Sequence, residues 1–375
     1  MRDLLAHADL GGYARQFVWL ELSYDEPQNR AFLTKYGANA TPTFFVINPQ
    51  NESVAAMQPG AMSLPELKQF LDRGAAAVHA GAQTAADTAL VRGDALIAQR
   101  PADAANEYLE ALRLAPADWS HHELAEASVV QALYGSKQWR QCADSALKYA
   151  GAMKRDVLFV RTVASAMWCV VSADPDPSLN VQIEALRPLA VEALSLPITV
   201  RDHRDTLYRT LMIIESTRNN TAAALKWGDR WLAELDAIKP RSDDERSALD
   251  IARVENIQVA GDPARIIPAL RASEQAMPNS YIASLRLAQM ELAAKQYDEA
   301  LAACVRGLAR QPGAFGRTWL LMIEAQALQE KGEAAEARKV LEQALAAAEQ
   351  IPSTQGRENV IASIKKSLES LPPSH

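Results

Sequence analysis

Cysteine is the first scarcity: Cys142, Cys169 and Cys304 are the only three in 375 residues. None forms a C-x-x-C pair or a zinc-ligand spacing, so no redox motif or metal site is written into the chain. Each is expected to fill a helical core as a small hydrophobe. Apolar runs are short as well. None approaches the roughly 20 residues that cross a bilayer as a helix. The opening, Met1 to Leu10, has neither a long apolar core nor a small-residue cleavage site. As encoded, the chain reads as cytoplasmic, and a leader lost upstream would make it periplasmic instead. Positive charge is in deficit. The net charge is −7, spread as −2 over residues 1–80 and −5 over the rest, which argues against a nucleic-acid partner. There is no G-x-x-x-x-G-K phosphate loop, and no local gathering of Ser, His and Asp. These absences leave no catalytic residue, cofactor or metal to expect from the residues present.

What is there is apolar, at 49% of the chain, and too long for one ordinary domain. Leu4, Leu5 and Ala8 read as the tail of a helix stopped by Gly11 and Gly12. Residues 17–22, Phe-Val-Trp-Leu-Glu-Leu, are apolar on nearly both faces, as a central strand would be. Tyr24 to Pro27 makes a turn, and a helix over 28–36 ends in Tyr36–Gly37. Pro42 then opens an apolar run to Asn48, a placement a strand tolerates because Pro has no N–H to donate. Pro49 to Glu52 is a hairpin turn and residues 53–57 a further strand. Ser63 and Glu66 form a capping box for a helix that stops near Gly74.

This order of helix, Tyr-Gly, Thr41–Pro42–Thr43 and hydrophobic strand resembles the second half of a thioredoxin fold. The strand that ends in Asp25 is similar to the family's acidic strand end. The resemblance implies a cis Pro42, with Thr41 and Pro42 as the lip that receives an extended peptide beside the active disulfide. The family's cysteines and first strands are missing, so residues 1–76 are expected to be a truncated α/β segment with an open slot between residues 17–22 and 42–48. If the natural product starts earlier, a C-x-x-C upstream would make it a thiol–disulfide oxidoreductase.

From residue 80 to 375 the chain is rich in Ala and Leu and punctuated by Gly or Pro. Ala104, Tyr108, Ala111 and Pro116 are spaced by 4, 3 and 5 residues. Ala300, Cys304, Gly307 and Pro312 repeat that spacing, preceded by Leu287–Ala288. Ala337, Leu341 and Ala344 repeat it again. The pattern is that of the second helix of a tetratricopeptide repeat (TPR), where small residues admit a paired helix and a large one fills the groove. The predicted pairs are 84–99 with 101–115, 119–134 with 137–153, 155–172 with 178–195 and 198–218 with 220–237. They continue as 242–259 with 262–276, 280–294 with 297–311 and 314–331 with 333–348, and a helix at 354–370 caps the stack.

The whole chain therefore resembles bacterial thioredoxin–TPR fusions. The expected fold is mostly α, and the expected function is a chaperone-like, protein-binding scaffold whose clients lie on the concave face of the solenoid. His121–His122–Glu123 reads as a polar first turn of a helix rather than a metal site. Arg201 to Asp205 reads as a solvated, ion-paired face. The tryptophans read as packing between helices.

Overall fold

The structure is a computed structural model and describes residues 2–23, 26–38, 41–79, 84–173, 177–197, 200–352 and 356–372. It divides into two compact units, Met1–Ile214 and Glu215–His375. Tyr24, Asp25 and Asn39, which belonged to the thioredoxin-like pattern, lie outside the described residues.

The first unit opens with α1 (Arg2–Leu5) and two short 3₁₀ turns, and then an extended segment. Phe17 to Leu22 is not the strand expected from its composition. Val18 is 89% and Leu20 75% exposed. A strand apolar on both faces needs a hydrogen-bonded neighbour, and the sheet among the described residues has two strands, of which this segment is neither. Phe17 alone packs against the local core.

Helix α2 (Arg30–Tyr36) closes on Gly37 at φ 67°, the left-handed cap its sequence predicts. The Thr41–Pro42 peptide is cis. Strands β1 (Thr43–Ile47) and β2 (Val54–Pro59) pair antiparallel, Thr43 facing Pro59 and Phe45 facing Met57. Helix α3 (Leu64–His79) follows. Its capping box is formed: Ser63 N donates to Glu66 Oε2 at 2.8 Å and Glu66 N to Ser63 Oγ at 3.4 Å. Val46, Ala56, Leu67, Phe70 and Leu71 make the core between hairpin and helix. This is a hairpin and helices, so the larger thioredoxin-like sheet does not extend beyond two strands among the described residues.

Helix pairs make up the rest, close to the predicted bounds. They are α4 (Ala85–Leu96) with α5 (Pro101–Leu114), α6 (His122–Gly135) with α7 (Trp139–Ala150), and α8 (Val157–Ser172) with α9 (Asn180–Ser195). Then come α10 (Arg201–Thr217), α11 (Thr221–Ala237), α12 (Asp243–Val259) and α13 (Ile267–Ala276). The last are α14 (Tyr281–Ala293) with α15 (Tyr297–Ala309), α16 (Ala314–Glu330) with α17 (Ala334–Ala348), and α18 (Arg357–Ser370). No described helix is long and apolar enough to cross a membrane.

Four turns between successive helices share one backbone form. Lys137, Asn219, Lys295 and Gly332 all have φ between 58° and 85°. The next amide reaches back five residues in each: Gln138 to Leu133, Asn220 to Glu215, Gln296 to Glu291 and Glu333 to Leu328, at 2.8–2.9 Å. This is a Schellman closure, which satisfies carbonyls left over at the helix end. Two of the four turns lie where the side-chain repeat is degenerate, so the backbone carries the repeat through the middle of the chain.

The second-helix pattern packs as predicted. Ala104, Tyr108 and Ala111 are fully buried, and so are Ala300 and Cys304. A Cβ on Gly93 would lie 2.4 Å from the Tyr108 ring, so the small residue of α4 is what lets α5 approach.

Two cysteines depart from expectation. Cys142 on α7 and Cys169 on α8 form a disulfide with Cα atoms 6.4 Å apart. The second helix of one pair lies against the first helix of the next, and this brings together buried residues 27 apart in sequence. Cys304 is a buried free thiol, as expected, and burial, with Glu324 and Glu291 nearby, pushes it up to about 12.

Candidate functional site

On α14 and α16, a small buried residue is followed by an exposed one. In the second unit the small positions are Ala288 and Ala325, both buried, and the residues that follow are the exposed Gln289 and Gln326. Around them, Leu285, Gln289 and Leu292 recur on one face of α14. Phe315, Trp319, Met322, Gln326 and Gln329 recur on one face of α16. The two stripes line a groove of about 690 Å³, to which Leu341 of α17 and Ser367 of α18 also contribute.

Its floor is aromatic. Phe315 and Trp319 stand 6.0 Å apart between ring centroids, 44% and 37% exposed. Trp231 is buried, as the tryptophans were expected to be, but Trp319 lies on the groove. Its i, i+4 spacing from Phe315 was visible in the sequence, but the direction of that face was not. The polar groups of the groove are mainly side-chain amides, and among the described residues Glu330 is its one charge. Amides can both donate to and accept from a peptide backbone without selecting charge.

In the first unit the corresponding positions are taken. Asp94 follows Gly93 on α4, and Gln131 follows Val130 on α6. Asp94, buried, accepts from Met57 N at 3.3 Å and Tyr108 Oη at 2.9 Å, and pairs with the Arg73 guanidinium. Gln131 Nε2 donates to Pro59 O at 3.2 Å, and Gln58 Nε2 reaches Gln131 Oε1 at 3.4 Å. Burial, and after it the charge of Asp94, raises the Tyr108 phenol well above its ordinary value, so it acts as a donor. Strand β2 and helix α3 thus occupy the face of α4 and α6 that in the second unit is open.

The peptide lip expected at Thr41 and Pro42 is at the surface on the Thr41 side. The Pro42 carbonyl already accepts from Gly60 N at 2.9 Å. None of the three cysteines belongs to this segment; they sit on α7, α8 and α15. His121, His122 and Glu123 are structural, as expected. His121 Nδ1 lies 3.4 Å from Asp87 Oδ1, His122 Nε2 lies 2.9 Å from Pro116 O, and Glu123 accepts from Lys154 N at 2.9 Å. Partial burial works to raise the Asp87 carboxyl, but bonds from Thr84, Trp119 and His121 outweigh it and hold it below the ordinary range. Arg201 pairs with Asp205 at 3.1 Å, as an ion-paired face requires. The face is less solvated than expected, with Asp202 exposed and Arg201, His203, Arg204 and Asp205 half-buried, and burial, then the charge of Arg161, pushes His203 down to about 3. No group of three His, Cys, Asp or Glu among the described residues could hold a metal ion.

No family model and no curated protein matches the chain. Among solved structures, it is similar to the crystal structure of a tetratricopeptide repeat protein from Parabacteroides merdae ATCC 43184. That likeness has a TM-score of 0.42 and 10% identity over 75% of this chain and 98% of the other. At that level it carries no argument, and the repeat stands on the helix pairs and their shared turns.

Proposed function

We propose that this protein is a binding scaffold for polypeptides, and that the groove between α14 and α16 takes an apolar, uncharged segment of a partner. The observation that supports it most is the exposed pair Phe315 and Trp319 beside Gln289 and Gln326, which offers aromatic contact and backbone hydrogen bonding together. Residues 1–76 and 80–375 form the working division, with the N-terminal segment closing the first helix pairs and the solenoid recruiting the partner. The exposed Thr41 with Pro42 supplies a second peptide contact. The Cys142–Cys169 bond supports the periplasmic alternative, because such bonds persist in oxidising compartments. No observation favours thiol–disulfide exchange.

Selection of a random dodecapeptide display library on the full chain tests the groove. Enrichment of aliphatic and aromatic peptides is expected, with affinity falling roughly tenfold to a hundredfold in Phe315→Ala or Trp319→Ala. Peptides that bind those variants as well as the parent chain would overturn it.

A further inference from the structure

Two apolar features of the described residues stand open to solvent. One is the groove of α14 and α16. The other is the stretch from Phe17 to Leu22, which belongs to no helix or strand. Phe17 is half-buried against the local core, and its ring meets that of Trp19 edge-on at 6.2 Å. Between and beyond them Val18, Leu20 and Leu22 are exposed, Val18 almost wholly. One row of alternate residues is thus anchored at Phe17 and the other is presented outward, as on an extended strand. A presented aliphatic row invites association, and a protein that keeps one has a use for it.

The segment matches the groove in composition, length and charge. Residues 16–20, Gln-Phe-Val-Trp-Leu, carry no charge, and the groove is apolar with side-chain amides. From Phe315 to Glu330 the lining of α16 runs about 22 Å along the helix, and Arg15 to Leu22, drawn out, spans about 23 Å. The finer spacing agrees too. One i, i+4 step on a helix advances about 6 Å and two residues of a strand about 7 Å. Leu22, Leu20 and Val18 can therefore fall in turn beside Phe315, Trp319 and Ile323, with the backbone between reaching Gln289 and Gln326. This direction brings Arg15 to Glu330 and keeps Glu21 away from it. Arg15 and Glu330 are both exposed, and neither has an ion pair among the described residues.

We infer that residues 15–22 of one copy of this chain dock in the groove between α14 and α16 of a second copy, with Val18, Leu20 and Leu22 on its aromatic floor and Arg15 beside Glu330. The inference rests on the groove being a peptide site, as proposed above, and names its occupant. Segment and groove are different surfaces, so the contact is heterologous, and copies add head to tail into a row or a closed ring.

Sedimentation velocity on the full chain tests it. The average mass should rise above that of one chain as concentration increases. Val18→Asp with Leu20→Asp spoils the segment, and Phe315→Ala with Trp319→Ala spoils the groove; all four residues are exposed, so both variants keep the fold. Each alone should stay monomeric. Mixed, they should form a one-to-one pair and nothing larger, since one supplies an intact groove and the other an intact segment. A synthetic peptide of residues 15–23 should bind the segment variant saturably and break up assemblies of the parent chain. Arg15→Glu in that peptide should weaken binding roughly threefold to tenfold. A parent chain monomeric at every concentration, variants that still associate alone, or a mixture that does not pair would overturn the inference. Library peptides that depend on Phe315 and Trp319, found for a chain that stays monomeric, would keep the groove as a peptide site and remove only the occupant named here.

Discussion

The same face of the same kind of helix meets two fates in this molecule. In the first unit, Asp94 and Gln131 receive β2 and α3 of the chain itself. In the second, Gln289 and Gln326 stand exposed in a groove floored by Phe315 and Trp319. The difference comes down to one position per helix. In the first unit Asp94 is buried beside Arg73 and Gln131 is bonded to the Pro59 carbonyl, whereas Gln289 and Gln326 stand exposed near Phe315 and Trp319. The comparison separates helix faces covered by the chain itself from helix faces left exposed.

The largest expected effect breaks the first half of the comparison. Asp94→Ala leaves Arg73 buried without its partner and removes the acceptor of Tyr108 and Met57, and should destabilise the chain by about 3–5 kcal/mol. Urea denaturation measures it, and a loss below about 1 kcal/mol would show that the N-terminal segment is only loosely docked. Next comes the cross-link between α7 and α8. Closing a loop of 27 residues stabilises by about 3 kcal/mol, so Cys142→Ala with Cys169→Ala should lower stability by that order. Thiol counting gives an independent check. No thiol should react in the native protein, one after denaturation and all three after reduction as well.

Acid should loosen the first unit. Unfolded His203 takes up a proton near 6.5, whereas the folded residue resists until about 3. The unfolded state therefore binds more protons across that window, and stability falls as pH drops through it, by at most about 1.4 kcal/mol per unit. Thermal melts between pH 7 and 4.5 should show the decline, and His203→Gln should flatten it. The smallest effect sharpens the second half of the comparison. Trp319→Ala and Phe315→Ala remove exposed rings and should change stability by under about 1 kcal/mol, while acting on peptide binding. A large loss of stability would mark Trp319 as packing after all.

The helix pairs were legible because an amphipathic period of 3.6 and a turn every 15 to 20 residues are local signals. The small–large–small spacing of Ala104, Tyr108 and Ala111 specified its own packing. The cap at Ser63 and Glu66 and the left-handed Gly37 were legible for the same reason. Residues 17–22 misled because a run apolar on nearly both faces reports a capacity to pair and not the presence of a neighbour. Nothing local marks Asp94, because its partner Arg73 comes from 21 residues earlier on another helix. The meeting of Cys142 with Cys169 depends on how adjacent helix pairs stack. That stacking also sets which tryptophans are covered.

Asp94 has a kinetic consequence too. It draws bonds from β2, α3 and α5 onto one carboxylate of α4, so opening α3 strands a buried charge and opening β2 or α5 takes a hydrogen bond from it. The hairpin, which would fray readily on its own, is thereby tied to the opening of the first helix pair, and the two form one cooperative unit of unfolding. Amide exchange at Met57 then follows the rarity of that larger event, and a protease meets the N-terminal strands only when the first helix pair has already come apart.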